Sequence, residues 1–186
     1  MAGAQKKVVI RRFSPGILWG YLPATGFLSP PNRGAERTLD LLDLGGRVQS
    51  IPLNDIKYAA FVRDFNTNDN LSPERLLRKV FLARPRSEGL WLRLMLRDGD
   101  RLEGLAPLDL TLADGWADDL GVQLLPPDIR GNTQRLYVPR AAVEQMEVLG
   151  VITTPSKRKA LTEVREEPSD QPDLFSMPLP PDSRTH

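Results

Sequence analysis

The chain contains no cysteine, and its only histidine is the final residue, His186. These absences exclude zinc sites built from cysteine and histidine, thiol nucleophiles, haem ligation by histidine, and catalytic triads that use an imidazole base. A chain without cysteine also fits a reducing compartment. We therefore expect a protein that holds no metal or cofactor and that is not an enzyme.

Net charge and long apolar runs are scarce as well. The 25 basic and 24 acidic side chains leave a formal charge of +1, so no bulk field draws the chain towards nucleic acid or an anionic membrane. No uncharged apolar run approaches the roughly 18 residues that a membrane helix needs. Charged residues interrupt the short apolar run at the N-terminus, which is not typical of a signal peptide. The sequence predicts a cytoplasmic protein with no membrane contact.

The most informative feature that the chain does contain is an internal repeat. A pattern that runs from about residue 8 to residue 61 returns, in diverged form, from about residue 90 to residue 148. Near the end of each copy, Ile51 and Val138 lie 87 residues apart, and a proline follows each of them. The same spacing relates Ile56 to Val143. The repeat predicts two related small β units.

The beginnings of the two copies also correspond. The segment Val9–Phe13 matches Leu92–Leu96, and the later Gly20 matches Gly104. Between these segments, Ser14-Pro15-Gly16 in the first copy and Asp98-Gly99 in the second are typical of hairpin turns. Each copy is therefore expected to open with a β-hairpin.

Other segments fall outside the repeat. Ser72-Pro73-Glu74 combines an N-cap, a first-turn proline and an early acid, which predicts a short helix over residues 73–79. From residue 153 onward, prolines and alternating charges with few large apolar residues predict disorder. The expected organisation is a first unit over residues 6–65, a linker with a short helix over 66–88, a second unit over 89–152 and a disordered tail over 153–186.

Two motifs resemble those of Sm-like proteins. The segment Asp98–Gly104 has the spacing of their first motif, and Val138–Val143 has the apolar frame of their second. SH3-like barrels share such hairpins, so the resemblance implies a mainly β fold of two tandem Sm-like or SH3-like small barrels with short helical turns. The segment Leu53–Phe65 is also similar to a bacterial family of unknown function.

The RNA-binding residues of Sm-like proteins are not matched. That family binds RNA through an Asp and Asn in one loop and an Arg-Gly in another. Here no Asn follows Asp109, and the Arg-Gly position is Pro139-Arg140 in the second copy and Pro52-Leu53 in the first. These departures argue against RNA binding of the Sm kind, and a nucleic-acid-binding Sm-like regulator is kept only as an alternative interpretation. Aromatic residues near arginines could stack on bases, although packing at the edge of a barrel is the favoured use; these are Trp19, Tyr21, Trp91 and Tyr137.

A second alternative is a PilZ-like signalling domain. Arg33 and Arg37 have the Arg-x-x-x-Arg spacing with which PilZ barrels bind cyclic dinucleotides. The Asp-x-Ser-x-x-Gly element of that family is not intact in the segment Asp43–Val48. A cyclic-dinucleotide site of the PilZ type is therefore incomplete, and the two arginines are interpreted as surface residues.

The sharpest candidate site lies in the tail. The segment Gln171-Pro172-Asp173-Leu174-Phe175 resembles the peptide by which bacterial replication and repair proteins dock on the DNA sliding clamp. In that interpretation Leu174 and Phe175 fill an apolar pocket, Gln171 forms a hydrogen bond at a neighbouring subsite, and Asp173 orients the backbone.

The leading hypothesis is a non-enzymatic protein-interaction module with a clamp-binding tail. A nucleic-acid-binding module is the second hypothesis. The third is an enzyme that uses the carboxylates of Asp98, Asp100 and Asp109. It ranks lowest because acids at hairpin tips usually serve turn geometry. Association between chains through strand edges is also possible, unless the duplication satisfies those edges within one chain.

Overall fold

The fold is known from a computed structural model that describes residues 5–28, 36–65, 77–109, 111–128 and 130–153. These residues fall in one compact unit. Within these ranges the chain forms ten strands, one α-helix and two single 3-10 turns. The strands are β1 (Gln5–Arg12), β2 (Ile17–Pro23), β3 (Thr38–Asp43), β4 (Val48–Pro52), β5 (Ile56–Val62), β6 (Gly89–Leu96), β7 (Arg101–Ala106), β8 (Gly121–Leu124), β9 (Thr133–Pro139) and β10 (Val143–Ile152). The helix is α1 (Thr111–Ala117), and the helical turns are Leu53–Asp55 and Arg140–Ala142. The prediction of a mainly β fold is confirmed.

The first half of the chain forms an antiparallel arrangement in the order β4-β3-β2-β1-β5. Its hairpins depend on glycines in the left-handed region, because the turns need a positive φ: Gly16 has φ +116° and Gly46 has φ +79°. The carboxylate of Asp43 accepts hydrogen bonds from the backbone N–H groups of Gly45 and Arg47, both at 2.8 Å, and so closes the turn between β3 and β4. The hairpin predicted at Ser14-Pro15-Gly16 is confirmed.

The second half repeats that order. Strands β10-β6-β7 form one sheet, and β8 and β9 pair within the other. The two parts are joined where Leu105 and Leu125 exchange backbone hydrogen bonds of 3.0 and 2.9 Å. The resulting order is β10-β6-β7-β8-β9, and the first half read in the same direction is β5-β1-β2-β3-β4. In both halves the fifth strand lies beside the first, and the second, third and fourth strands follow in sequence. The structure therefore shows the internal repeat as a repeated topology.

The strand registers define the repeat more closely than the sequence does. The last strand of each half pairs with the first, with Val8 opposite Phe61 and Leu92 opposite Val148. Both pairings contain a bulge at the same place, since Lys57 in one half and Glu144 in the other have no partner residue. The registers align Val8 with Leu92, so the sequence alignment of the opening strands was wrong by one residue. The 87-residue spacing of the closing strands is confirmed.

Gly20 and Gly104 allow the second strand of each half to approach the third. A Cβ atom at Gly20 would lie 2.3 Å from the carbonyl oxygen of Leu42, and one at Gly104 would lie 2.7 Å from Cβ of Leu124. Side chains cannot be accommodated at these distances. The close approach of the strands therefore requires glycine at both positions.

The two halves share one sheet. Strand β5 of the first half pairs antiparallel with β9 of the second, which gives the seven-stranded order β4-β3-β2-β1-β5-β9-β8. Neither sheet closes into a barrel within the described residues, because β5 continues into the second half rather than returning to β4. The described residues form two buried clusters, one of the first half together with Tyr137, and one of the second half together with Val9, Tyr58, Ala60, Val62 and Phe65.

Two sequence expectations about helices differ from the structure. Helix α1 lies between β7 and β8 and was not predicted. Most of the helix expected over residues 73–79 falls outside the described residues, and residues 77–79, which are described, are not helical. Lys79 instead accepts a 2.6 Å hydrogen bond at its carbonyl oxygen from the N–H of Glu103 and lies along β7.

Candidate functional site

An open cavity of about 790 Å³ lies between α1, β8 and the chain that follows β2. Its size is typical of a site that binds a small molecule or a few side chains. Apolar side chains form much of the wall, and charged side chains stand at the rim. The wall includes Phe27, Leu28, Leu112, Leu120 and Val122, and the charged residues are Arg37, Asp109, Asp114 and Asp118.

Two features of the sequence position helix α1 against the sheet, a capping residue before the helix and a glycine within it. The carboxylate of Asp109 accepts a 3.0 Å hydrogen bond from the N–H of Thr111 and one from the Thr111 hydroxyl, which caps the helix start. Gly115 faces β8 so closely that a Cβ atom there would lie 2.6 Å from the carbonyl oxygen of Gly121. The position of the helix therefore fixes one side of the cavity.

Tyr137 supplies a polar group in the wall of the cavity. Its side chain is buried, its ring contacts Phe27 edge-to-face at a centroid distance of 5.1 Å, and its hydroxyl donates a 2.5 Å hydrogen bond to the carbonyl oxygen of Leu120. Burial raises the pKa of Tyr137 far above its usual value, which the nearby charge of Arg37 only partly offsets. The hydroxyl is therefore neutral and committed to a structural hydrogen bond.

The rim of the cavity is acidic. Asp109, Asp114 and Asp118 are exposed, whereas Arg37 is half-buried. Among the described residues that line the cavity, three carboxylates against one guanidinium give a negative potential, which attracts cationic groups and repels phosphates. The site is thus suited to an apolar group accompanied by positive charge.

The hairpin carboxylates that were candidates for catalysis form ion pairs instead. Lys57 of β5 contacts both Asp98 and Asp100, the latter at 2.6 Å, and Lys79 contacts Asp100 at 2.8 Å. Hydrogen bonds from the two lysines hold the pKa of Asp100 below its usual value. These contacts connect the β6–β7 hairpin to the first half of the repeat.

The aromatic residues and arginines considered for base stacking pack against other parts of the unit, as Tyr21 does against Phe65 and Trp91 against Phe81. The Arg135 guanidinium lies 4.3 Å from the centroid of the Phe61 ring and donates a 2.9 Å hydrogen bond to the carbonyl oxygen of Ala24. Arg140, at the Arg-Gly position of the Sm pattern, lies 4.2 Å from the centroid of the Trp116 ring. Packing is therefore the observed use of these side chains, as the sequence favoured.

A buried carboxylate on β7 was not identified from the sequence. Glu103 is 4% exposed and accepts hydrogen bonds from Arg93 Nε at 3.0 Å, Phe81 N at 3.1 Å and Trp91 Nε1 at 3.4 Å. A buried charge needs such partners. Glu103 therefore attaches the segment that precedes β6 to the second half. In the sequence, Glu103 is a charged residue between Leu102 and Leu105, a pattern typical of an exposed strand position. The sequence therefore does not indicate that Glu103 is buried or that it binds this segment.

Comparison with known proteins places the chain in a family. A family of unknown function, DUF6982, matches residues 4–150, which include both copies of the repeat. The chain belongs to DUF6982. This agrees with the resemblance to a family of unknown function found in the segment Leu53–Phe65. Neither a curated protein nor a solved structure matches the chain significantly. The DUF6982 match stops before the tail.

The tail candidates Gln171, Asp173, Leu174 and Phe175 lie outside the described residues, as does Arg33 of the PilZ-like pair. Arg37, the other member of that pair, lines the cavity. Within the described ranges, no group of three or more His, Cys, Asp or Glu side chains is arranged to hold a metal ion. Across those same ranges, no helix combines the length and apolarity that crossing a membrane requires.

Proposed function

We propose that the protein is a non-enzymatic interaction protein with two separate binding regions. The repeated Sm-like or SH3-like units form a platform that binds a peptide segment of a partner in the acid-rimmed cavity beside α1. The tail supplies a second region, which docks on the DNA sliding clamp. The observation that carries the first part is the combination of an apolar wall and an acidic rim in one open cavity.

The chemistry of the cavity favours a basic peptide. An apolar side chain of the ligand would contact Phe27, Leu112 and Val122, and a neighbouring lysine or arginine would approach Asp114 or Asp118. Burial of one large apolar side chain contributes about 1.5–3 kcal/mol. The exposed rim charges contribute more to partner choice and association rate than to affinity. The same rim opposes phosphate, so a peptide is preferred over nucleic acid.

The other charged candidates support binding over catalysis. Asp98 and Asp100 pair with Lys57, and Asp109 caps α1. The lowered pKa of Asp100 also makes it a weak base, far from the pKa near neutrality that suits proton transfer. Asp114 and Asp118 remain at the rim as exposed carboxylates. They stand where a ligand can meet them.

Selection from a phage-displayed library of random dodecapeptides on the immobilised full chain tests the platform. We expect enriched peptides to combine a large apolar residue with lysine or arginine. The charge-reversal variant Asp114→Arg/Asp118→Arg should lose these peptides, since both positions are exposed on or beside α1. Asp128→Arg, which changes an exposed acid that does not line the cavity, is the matched control. Enrichment of acidic peptides, or equal capture by the two variants, would contradict the proposal.

The tail proposal rests on the residues alone. Leu174 and Phe175 form an apolar pair in a polar, proline-rich segment, and Pro172 reduces the entropy lost when the segment becomes ordered on binding. Because anchor residues of this kind contribute at least about 2 kcal/mol, Leu174→Ala/Phe175→Ala should weaken binding to purified clamp by about 30-fold or more. The matched control is Leu161→Ala/Val164→Ala, which removes two other apolar side chains of the tail. Equal clamp binding by the two variants would refute the docking role.

A further inference from the structure

The repeat leaves two strands with a neighbour on one side only. Within the described residues, β4 ends the seven-stranded sheet and β10 ends the three-stranded sheet. These strands are the repeat equivalents of β9 and β5, because β4 and β9 are the fourth strands of their halves and β5 and β10 are the fifth. Strands β5 and β9 pair with each other. The chain thus contains one fifth-to-fourth pairing and the two exposed edges needed for another.

Burial differs sharply between the paired strands and their equivalents. In β5 every residue except Lys57 is buried, and in β9 all but Gln134 and Arg135 are buried. In β4 only Ile51 is buried, and in β10 only Val143 and Ile152 are buried. The pairing of β5 with β9 therefore covers surface that remains open at the other two strands. Exposed edges with unpaired backbone groups are templates for strand addition.

The known pairing predicts the register of the missing one. In the observed pairing Phe61 lies opposite Arg135 and Ala59 lies opposite Tyr137. Adding the 87-residue spacing to the numbers of β5 gives the equivalent residues of β10, and subtracting it from those of β9 gives the equivalent residues of β4. This places Val148 opposite Val48 and Met146 opposite Ser50. Val48 is 68% exposed and Val148 is 55% exposed, which is high for large apolar side chains. The transferred register brings these two valines together.

We propose that a second copy of this chain pairs through these edges, with β10 of one copy adding antiparallel to β4 of the next. The contact repeats between chains the β5–β9 contact within the chain. The contact is head-to-tail, since one copy contributes β10 and the other contributes β4. Such contacts form closed rings or open filaments rather than two-fold dimers. Pairing between copies is independent of the proposed peptide and clamp binding.

The contact between copies is weaker than the internal one. At the position of the buried pair Ala60 and Leu136, the transferred register places Glu147 opposite Gln49. Glu147 also forms a 3.0 Å ion pair with Arg93 of its own chain. Polar side chains at the centre of the contact reduce the apolar area that it buries. Assembly is therefore expected to depend on protein concentration.

Cysteine cross-linking tests the register directly, because the chain has no cysteine of its own. Residues opposite each other in an antiparallel pair have Cα atoms about 4.5–5.5 Å apart, which falls within the roughly 4.4–6.8 Å that a disulfide spans. Oxidation of a mixture of the full-length variants Val48→Cys and Val148→Cys should give a disulfide-linked pair containing one of each. Neither variant alone should cross-link, and Leu82→Cys, at an exposed linker position, should cross-link with neither.

Sedimentation velocity over a range of concentrations supplies the second measurement. The full chain should form species larger than a monomer as its concentration rises. Val48→Lys should abolish them, whereas Leu82→Lys, at a residue 81% exposed and away from both strands, should not. Three results would overturn the proposal: a monomer at every concentration, efficient cross-linking of either single variant with itself, or equal assembly of Val48→Lys and Leu82→Lys.

Discussion

The guanidinium of Arg97 lies 4.2 Å from the centroid of the Phe13 ring, and these two residues hold equivalent positions in the two halves of the repeat. Each backbone N–H donates to the helical turn of its own half, Phe13 to Asp55 at 2.8 Å and Arg97 to Ala142 at 3.1 Å. Arg97 also donates a 2.6 Å hydrogen bond to the carbonyl oxygen of Asn54. Divergence of the two copies has thus turned equivalent positions into a complementary contact between the halves.

Arg97→Ala should reduce the free energy of unfolding by about 1–2 kcal/mol. The change removes a cation–π contact, which contributes about 0.5–1 kcal/mol at an exposed site, and one hydrogen bond, which contributes about 1 kcal/mol. The free energy of unfolding of Arg97→Lys should lie between those of the natural chain and Arg97→Ala, because lysine keeps the charge but lacks the planar group. Urea denaturation measures the effect. The exposed Arg47→Ala is the control, and an equal loss in it would show that the Phe13 contact is not the cause.

Gly20→Ala and Gly104→Ala should each destabilise the protein by about 2–3 kcal/mol, because a methyl group would meet the neighbouring strand. The clash is with the backbone oxygen of Leu42 at Gly20 and with the side chain of Leu124 at Gly104. Gly150→Ala is the matched control, since nothing lies within 4 Å of the added atom and the residue is also in a strand. Thermal unfolding measures the effect, and the melting temperature should fall for Gly20→Ala and Gly104→Ala but not for Gly150→Ala. Similar melting temperatures for all three variants would contradict the close approach of the strands.

Asp55 should make stability depend on pH in the acid range. Burial acts to raise the pKa of Asp55, but hydrogen bonds from the Ser14 N–H at 2.9 Å and hydroxyl at 2.7 Å, together with Arg12, outweigh burial and lower it. Since the folded-state pKa is depressed, the stabilisation is complete above the unfolded-state pKa of about 3.9. It is lost as pH falls through the folded-state value.

The difference in unfolding free energy between the natural chain and Asp55→Asn should therefore be largest near pH 7 and should shrink on acidification below about pH 4. Urea denaturation at successive pH values measures it. Ser14→Ala, which removes the hydroxyl donor, should reduce the difference at neutral pH. A difference that stays constant down to about pH 2 would show that the carboxylate is not stabilised as described.

The part of the fold that was predictable from sequence is the part encoded locally. Gly16 and Gly99 marked hairpins because the turns require a positive φ. The spacing of Ile51 and Val138 gave the repeat because both occupy the same place in related strands. The strand registers were not predictable, since a diverged apolar pattern does not reveal a shift of one residue.

Contacts between the halves were not predictable from either copy. The pairing of β5 with β9 joins residues far apart in sequence, and neither strand carries a residue type that names its partner. Helix α1 was missed because Leu110-Thr111-Leu112 alternates like a strand, although Asp109 is a residue type favoured at helix starts and could have revealed it. The cavity follows from that helix, so the candidate site was missed with it.

We propose that the chain binds partners at two independent places, the cavity of the repeated units and the peptide Gln171–Phe175 of the tail. The most direct measurement is titration calorimetry of three full-length proteins against purified clamp and against one selected basic peptide. The natural chain should bind both ligands. Leu174→Ala/Phe175→Ala should lose only the clamp, and Asp114→Arg/Asp118→Arg should lose only the peptide. Loss of both ligands in either variant, or binding of neither ligand by the natural chain, would contradict the claim.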